Sequence, residues 1–361
     1  MGSRGGERMG SLRLKMAAPI VMGMLLLAAA GWWTTDRVCE ANLVAISRVA
    51  IRTAAENLVD MLRTSSEDMG AMLGALARDR ELTRAVAARD HRRLLALAGP
   101  TYQEFRARHG ITHWNYWERE EPGAEGAALR NVIRFGTPAM HGDLVERVTL
   151  ARVSREKALV TGVELGHTGF ALRALAPVRD GERVVGYAEL GREVGTFLSG
   201  MKSRSGDDFG LVLDKRFIDA RRWASARAAH GERNDWNDRD DLLLVRDTTH
   251  GGVFADPAPP DALPDGGTAL GLASDGGRTF VRGAFPLHDV SGRKIAAVYV
   301  LRDVTELVAE VRRVRRNGVA ALGAIAVVLA AVVGAVFEVL VIRGAMGPSP
   351  ERRKLIAIKR D

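Results

Sequence analysis

The chain has 361 residues, with 52 Lys and Arg against 44 Asp and Glu, a formal net charge of +8 and one cysteine. A lone cysteine, Cys39, excludes an intrachain disulfide and a cysteine-built metal site. The surplus of positive charge flanks two apolar segments near the chain ends, which sets aside the nucleic-acid binding that a basic chain invites.

The first apolar segment is AAPIVMGMLLLAAAGWW, Ala17 to Trp33, and the second is GVAALGAIAVVLAAVVGAVFEVLVI, Gly318 to Ile342. Each falls in the range of ~17–25 residues that lets a helix cross a hydrocarbon core of ~30 Å. Arg4, Arg8, Arg13 and Lys15 precede the first, and Arg343, Arg352, Arg353, Lys354, Lys359 and Arg360 follow the second. Basic flanks stay in the cytoplasm, so both ends are expected inside and the polar stretch between them outside. The expected parse is a cytoplasmic tail over 1–15, a first span over 16–35, an extracytoplasmic region over 36–317, a second span over 318–342 and a short cytoplasmic tail over 343–361. The first segment has a second reading, because a basic start and Ala28-Ala29-Ala30 also fit a cleaved secretory signal. The tandem Trp32-Trp33 and the unbroken helical pattern after it suit an anchor. Both readings put the polar stretch outside.

That stretch is long enough for two modules. It opens with Leu43, Ile46, Ala50, Ala54, Leu58, Met61, Ser65, Met69, Met72 and Leu76 at steps of three and four, one face of a long helix. The stripe suits packing on the rest of the chain and suits a seam with a second copy, near whose axis Cys39 could meet its equivalent. Extended runs follow at Ile111 to Trp117, Ala128 to Phe135, Gly162 to Leu165, Phe170 to Val178 and Val184 to Leu190. A Pro-Gly turn at Glu121 to Gly126 precedes the second, and Asp180-Gly181 joins the last two as a hairpin. Beyond a short helix at Glu193 to Lys202 come a strand at Phe209 to Leu213, a proline-rich loop at Asp256 to Asp265 and a second hairpin, Thr279 to Pro286 with Lys294 to Leu301. The segments FALRALAPVRDGERVVGYAELGREV and TFVRGAFPLHDVSGRKIAAVYVLRDV share their order of strand, proline, Asp-Gly turn and strand, an internal repeat that predicts two similar modules. Val304 to Asn317 is helical and runs into the second apolar segment.

VIRFGTPAMHGDLVER and TGVELGHTGFALRALAPVRDGERVVGYAELG resemble the double Cache sensor domains of bacterial sensor kinases and chemoreceptors, and the resemblance covers Asp36 to Arg316. It implies an α+β fold: a long N-terminal helix, then two tandem PAS-like antiparallel-sheet modules, the distal at about 80–195 and the proximal at about 205–303, flanked by two transmembrane helices. It also implies a distal pocket that Arg134, Glu164 and Arg173 help to build, with Asp143 in a Gly-Asp pair. The Arg-x-Trp-Tyr signature of an amino-acid-binding subtype is absent. In THWNYW, alternation puts His113, Asn115 and Trp117 on one strand face and Trp114 and Tyr116 on the other. One face should line the pocket and the other should pack on a helix; aromatic walls with convergent polar groups suit a small-ligand site, so all five join the candidates.

No Walker loop, GxSxG or HExxH occurs, and the eight His lack metal spacing, so no enzyme, cofactor or metal is expected. Asn234 to Asp241 (NDWNDRDD) clusters oxygen ligands without EF-hand order. The expectation is a membrane-anchored extracytoplasmic small-molecule sensor without an output domain of its own, working as a homodimer and through a separate cytoplasmic partner. The alternatives are a truncated or frameshifted receptor and a periplasmic adaptor without ligand.

Overall fold

The computed structural model describes residues 4–118, 128–138, 140–166, 169–229, 231–249 and 257–345. The turn at Glu121 to Gly126, part of the proline-rich loop and the tail beyond 345 lie outside them. The chain forms two compact units, one of 1–43 with 305–361 and the other Val44–Val304.

Helix α1 (Arg4–Leu76) is 73 residues long. In the Val44–Val304 unit it buries Ser47, Ala50, Ile51, Ala54, Leu58, Ser65, Met69 and Leu73, so the stripe read from the sequence packs on its own chain. Helices α2 (Arg80–Ala87) and α3 (His91–His109) follow, capped by the side chains of Asp79 and Asp90. Neither helix was expected from the sequence, although Asp79 and Asp90 are residue types that favour a helix start. Pro100 stands inside α3, where a proline normally argues against helix.

The first sheet has the order β3-β2-β1-β6-β5-β4 and is antiparallel throughout. Its strands are β1 (His113–Glu118), β2 (Ala128–Arg134), β3 (Leu144–Glu146), β4 (Val160–Leu165), β5 (Phe170–Asp180) and β6 (Arg183–Glu193), and α4 (Val148–Glu156) connects β3 to β4. The β5–β6 hairpin turns through Gly181 at φ 61°, as Asp-Gly predicts. After α5 (Phe197–Ser205) the second sheet comprises β7 (Asp208–Asp214), β8 (Leu242–Asp247), β9 (Thr268–Asp275), β10 (Arg278–His288) and β11 (Lys294–Asp303), with α6 (Ala220–Ala229) between β7 and β8. Its order is β8-β7-β11-β10-β9. Setting β3 aside, both sheets run second, first, fifth, fourth, third, so the repeat seen in two hairpins extends to five strands.

One apolar core lies between the helices and both sheets, from Ile51 and Leu58 through Leu94, Trp114 and Ile133 to Phe209 and Val298. Gly283 on β10 admits α1 at close range: a Cβ there would fall 2.3 Å from Ile51 Cδ1. The tip of the β10–β11 hairpin docks on the first sheet, where Val290 N donates to Val163 O at 2.8 Å. The opposite face of the second sheet is filled by Val212, Leu242, Phe280, Tyr299 and Leu301.

In the other unit, α7 (Thr305–Ala345) begins with one residue between it and the end of β11 and continues through the second apolar segment. Among the described residues one stretch, Thr305–Val336, is long and apolar enough to cross a membrane. The first apolar segment lies within α1, with Met22, Leu26, Leu27 and Trp33 exposed. The Arg315 guanidinium sits 3.1 Å from the centre of the Trp32 ring and 3.3 Å from Asp36.

Candidate ligand-binding site

Strand alternation divides HWNYWE. Trp114 and Tyr116 turn toward α3 and are buried: Trp114 stacks on Phe105 with centroids 5.6 Å apart and meets Phe135 at 4.9 Å. His113, Asn115 and Trp117 turn the other way and line a cavity of about 340 Å³. Its wall also includes Arg134 and Arg173. Five of the eight residues singled out in the sequence therefore meet in one cavity. Trp114 and Tyr116 do not, because they lie on the opposite face of β1, in the core beneath the helices.

Glu164 is the third that does not line it. Its Oε1 accepts from Val148 N at 2.7 Å and Thr149 N at 3.3 Å, and its Oε2 accepts from the Thr149 hydroxyl at 2.5 Å. Arg147, at the N-cap of α4, makes no capping bond with its own side chain. Glu164 caps the helix from β4 instead, a carboxylate at the positive end of the helix dipole. Arg147 is thereby left to reach inward.

It reaches Glu189, the residue around which the site is organised. Glu189 stands opposite Asn115 on β6 and is fully buried. Arg147 donates to it twice, at 3.0 and 2.8 Å, Arg173 at 2.5 Å, Trp117 Nε1 at 2.6 Å and Asn115 at 3.2 Å. Burial alone would raise the Glu189 pKa, but the two guanidinium groups outweigh it and hold the carboxyl far below its usual range. Arg173, also buried, is driven downward by its own burial and by the charge of Arg147, against the pull of Glu189. Arg173 Nε has no hydrogen-bond partner among the described residues. Arg134 is held beside this group by a bidentate pair with Asp143, both bonds 2.7 Å, and by Met140 O. Arg134 and Arg147 approach the Trp117 ring to 5.8 and 5.1 Å. The result is a rigid, cationic wall with an aromatic plate in it.

Sequence reasoning passed over Glu189, Arg147, Arg106 and Arg246, of which the last three line the cavity. Glu189 carried a signal, a lone acid in the apolar strand VVGYAEL. Arg147 carried none. The carboxylates of Asn234 to Asp241 go elsewhere: Asp235 takes Trp223 Nε1 at 2.9 Å and Asp238 pairs with Arg233.

A double Cache family model, described as a double sensory domain of two-component sensor kinases, matches residues 50–308. No curated protein matches the chain. Solved structures with a similar chain path include the periplasmic domain of Vibrio cholerae LuxQ, at 14% identity over 72% of this chain and 99% of that one, TM-score 0.37. The ligand-binding domain of the Campylobacter jejuni chemoreceptor Tlp3 in complex with L-valine is 8% identical over 75% and 96%, TM-score 0.37. A domain of a sensory box/GGDEF family protein from Vibrio parahaemolyticus is 11% identical over 73% and 96%, TM-score 0.38. Likenesses this distant carry no argument about ligand or partner.

Proposed function

The chain belongs to the double Cache family of sensory domains, and from that premise we propose that it is a membrane-anchored extracytoplasmic sensor whose small-molecule ligand occupies the cavity beside β1. The observation that supports this most is the wall itself. A cavity of about 340 Å³ lies in the size range of small-molecule sites, and four of its polar side chains, Asn115, Trp117, Arg147 and Arg173, are fixed by a buried carboxylate rather than left to solvent. Pre-arranged groups of this kind reduce the ordering cost of binding.

Two anchors, the segments 16–35 and 318–342, complete the reading. Basic flanks support their orientation, and the stretch Thr305–Val336 supports the second. Only Val304 separates β11 from α7, so a displacement of the second sheet has a direct covalent route into that helix. Two copies would pair along α1, whose outer face leaves Val49 and Val59 exposed. A cytoplasmic partner would convert the change into a response.

The test is a thermal-shift screen of the full chain in lipid particles against neutral, cationic, zwitterionic and anionic metabolites. A saturable hit is expected, and Arg134→Ala should weaken it by about 1.5–3 kcal/mol, the range for a charged hydrogen bond, while the protein stays folded. A chain that binds nothing in any class would favour an adaptor that contacts another protein.

A further inference from the structure

We propose that Arg312, Arg313 and Arg316, on one face of α7, bind the phosphates of anionic phospholipid head groups; the proposal rests on the anchor reading above. The run RRVRR ends two residues before Gly318, where the second apolar segment begins. At a rise of ~1.5 Å per residue the run lies within ~9 Å of that segment, and the head-group layer on each side of a bilayer is ~5–8 Å deep. A contact gives the same level independently. Arg315 lies over the ring of Trp32, and Trp32 stands at the end of the first apolar segment. Tryptophans at such ends settle among head groups.

Charge in this layer is one-sided. The residues just outside the apolar segments, 312–317 on α7 and 34–39 on α1, hold five arginines and one acid. The acid is Asp36, and Arg315 takes it at 3.3 Å. Glu40, Glu306 and Glu310 lie further out along the helices. Among the described residues no acid reaches Arg312, Arg313 or Arg316 as an ion-pair partner. These three are exposed and stand within ~100° of one another around the helix axis, while Arg315 turns toward α1. The occupant follows from this chemistry. A guanidinium fork matches phosphate oxygens in a bidentate pair. The apolar segment sets acyl chains beside the same helix, so a phosphate carried on a lipid is held at the right height, and a free anion is not. Each arginine near the surface favours a net negative membrane about fivefold. Phosphates bound here would fix the depth of α7, the helix into which β11 runs after Val304.

Quenching of tryptophan fluorescence by brominated lipid tests this on the full chain in phosphatidylcholine particles. A minor fraction of the lipid is brominated phosphatidylglycerol or, in a parallel sample, brominated phosphatidylcholine, with the bromines close to the head group. Trp32 and Trp33 are the reporters, and a protein with Trp32→Phe and Trp33→Phe supplies the background of the other four tryptophans. At low salt phosphatidylglycerol should associate about fivefold or more strongly than phosphatidylcholine, and the preference should shrink as salt rises. The combined variant Arg312→Gln, Arg313→Gln and Arg316→Gln should lose the preference, and the same three positions changed to Lys should keep most of it. Arg78→Gln, Arg80→Gln and Arg92→Gln together, an equal charge change at exposed positions of the Val44–Val304 unit, should leave it unaltered. A preference that survives the three Gln changes, that is lost equally with Lys, or that is missing from the wild type while both brominated lipids quench overturns the proposal and leaves the anchors standing. If neither lipid quenches, the anchor reading falls and the proposal falls with it.

Discussion

Glu189 illustrates how one buried charge can organise a cavity wall without lining the cavity itself. Five hydrogen bonds from four residues converge on it. Replacing it by Gln leaves Arg147 and Arg173 facing each other without the carboxylate they share. Removing one partner of a buried ion pair costs about 3–5 kcal/mol, so Glu189→Gln should lower the unfolding free energy by that amount, read as a lower denaturant midpoint with an unchanged slope. The pH dependence has a definite sign. The folded-state pKa of Glu189 is depressed, so its contribution is complete above the unfolded value of roughly 4.3 and is lost as pH falls below it. Wild-type melting temperature should therefore drop on acidification below about pH 4.3, and the Gln variant should show a shallower drop. The neighbouring tryptophans show what a sequence can tell at this scale. Period-two alternation separated Trp117 from Trp114 correctly, because the pleat of a strand is a local property. Arg147 was invisible because the bond that fixes it comes from β6, far along the chain.

Helix α4 makes the same point for a whole element. Its own N-terminus offers Arg147-Val148-Thr149, none of which caps it through a side chain, and it went unread for that reason. Loss of a cap costs about 0.5–2 kcal/mol, so Glu164→Ala should destabilise by that much. Because α4 carries Arg147, the same change should also weaken ligand binding, measurable by titration, although Glu164 does not line the cavity. Strands β8 and β9 escaped notice as well: LLLVRD is a short apolar run beside an acidic cluster, and TALGLASD is interrupted by glycine. Long α1 was legible because its stripe persists over many turns. Its approach to β10 depends on Gly283. Gly283→Ala should cost about 1–3 kcal/mol by overpacking against Ile51. Adding Ile51→Ala should return part of that loss in a double-mutant cycle, and strict additivity would show that the two do not touch.

For the whole molecule, the tandem arrangement was readable in outline because two hairpins repeat in sequence, while the remaining matched strands share topology and little else. The two-anchor orientation makes a simple prediction: a reporter active only in the cytoplasm, fused after Asp361, should be active, and a reporter active only in the periplasm should be silent there. Pairing along α1 predicts that Cys39 forms an intermolecular crosslink under mild oxidation in lipid particles, which requires Cα atoms within ~7 Å. Monomeric particles, with no crosslink at Cys39 or at cysteines introduced along α1, would rule the pairing out. The docked hairpin tip has a further consequence. Strand β4 is the last strand of its sheet, and such a strand offers free amides and carbonyls to any extended chain that drifts by. Val290 occupies one of those carbonyls, and its side chain fills the space left by Gly162, so the joint between modules also takes up part of an edge that another chain could otherwise pair with.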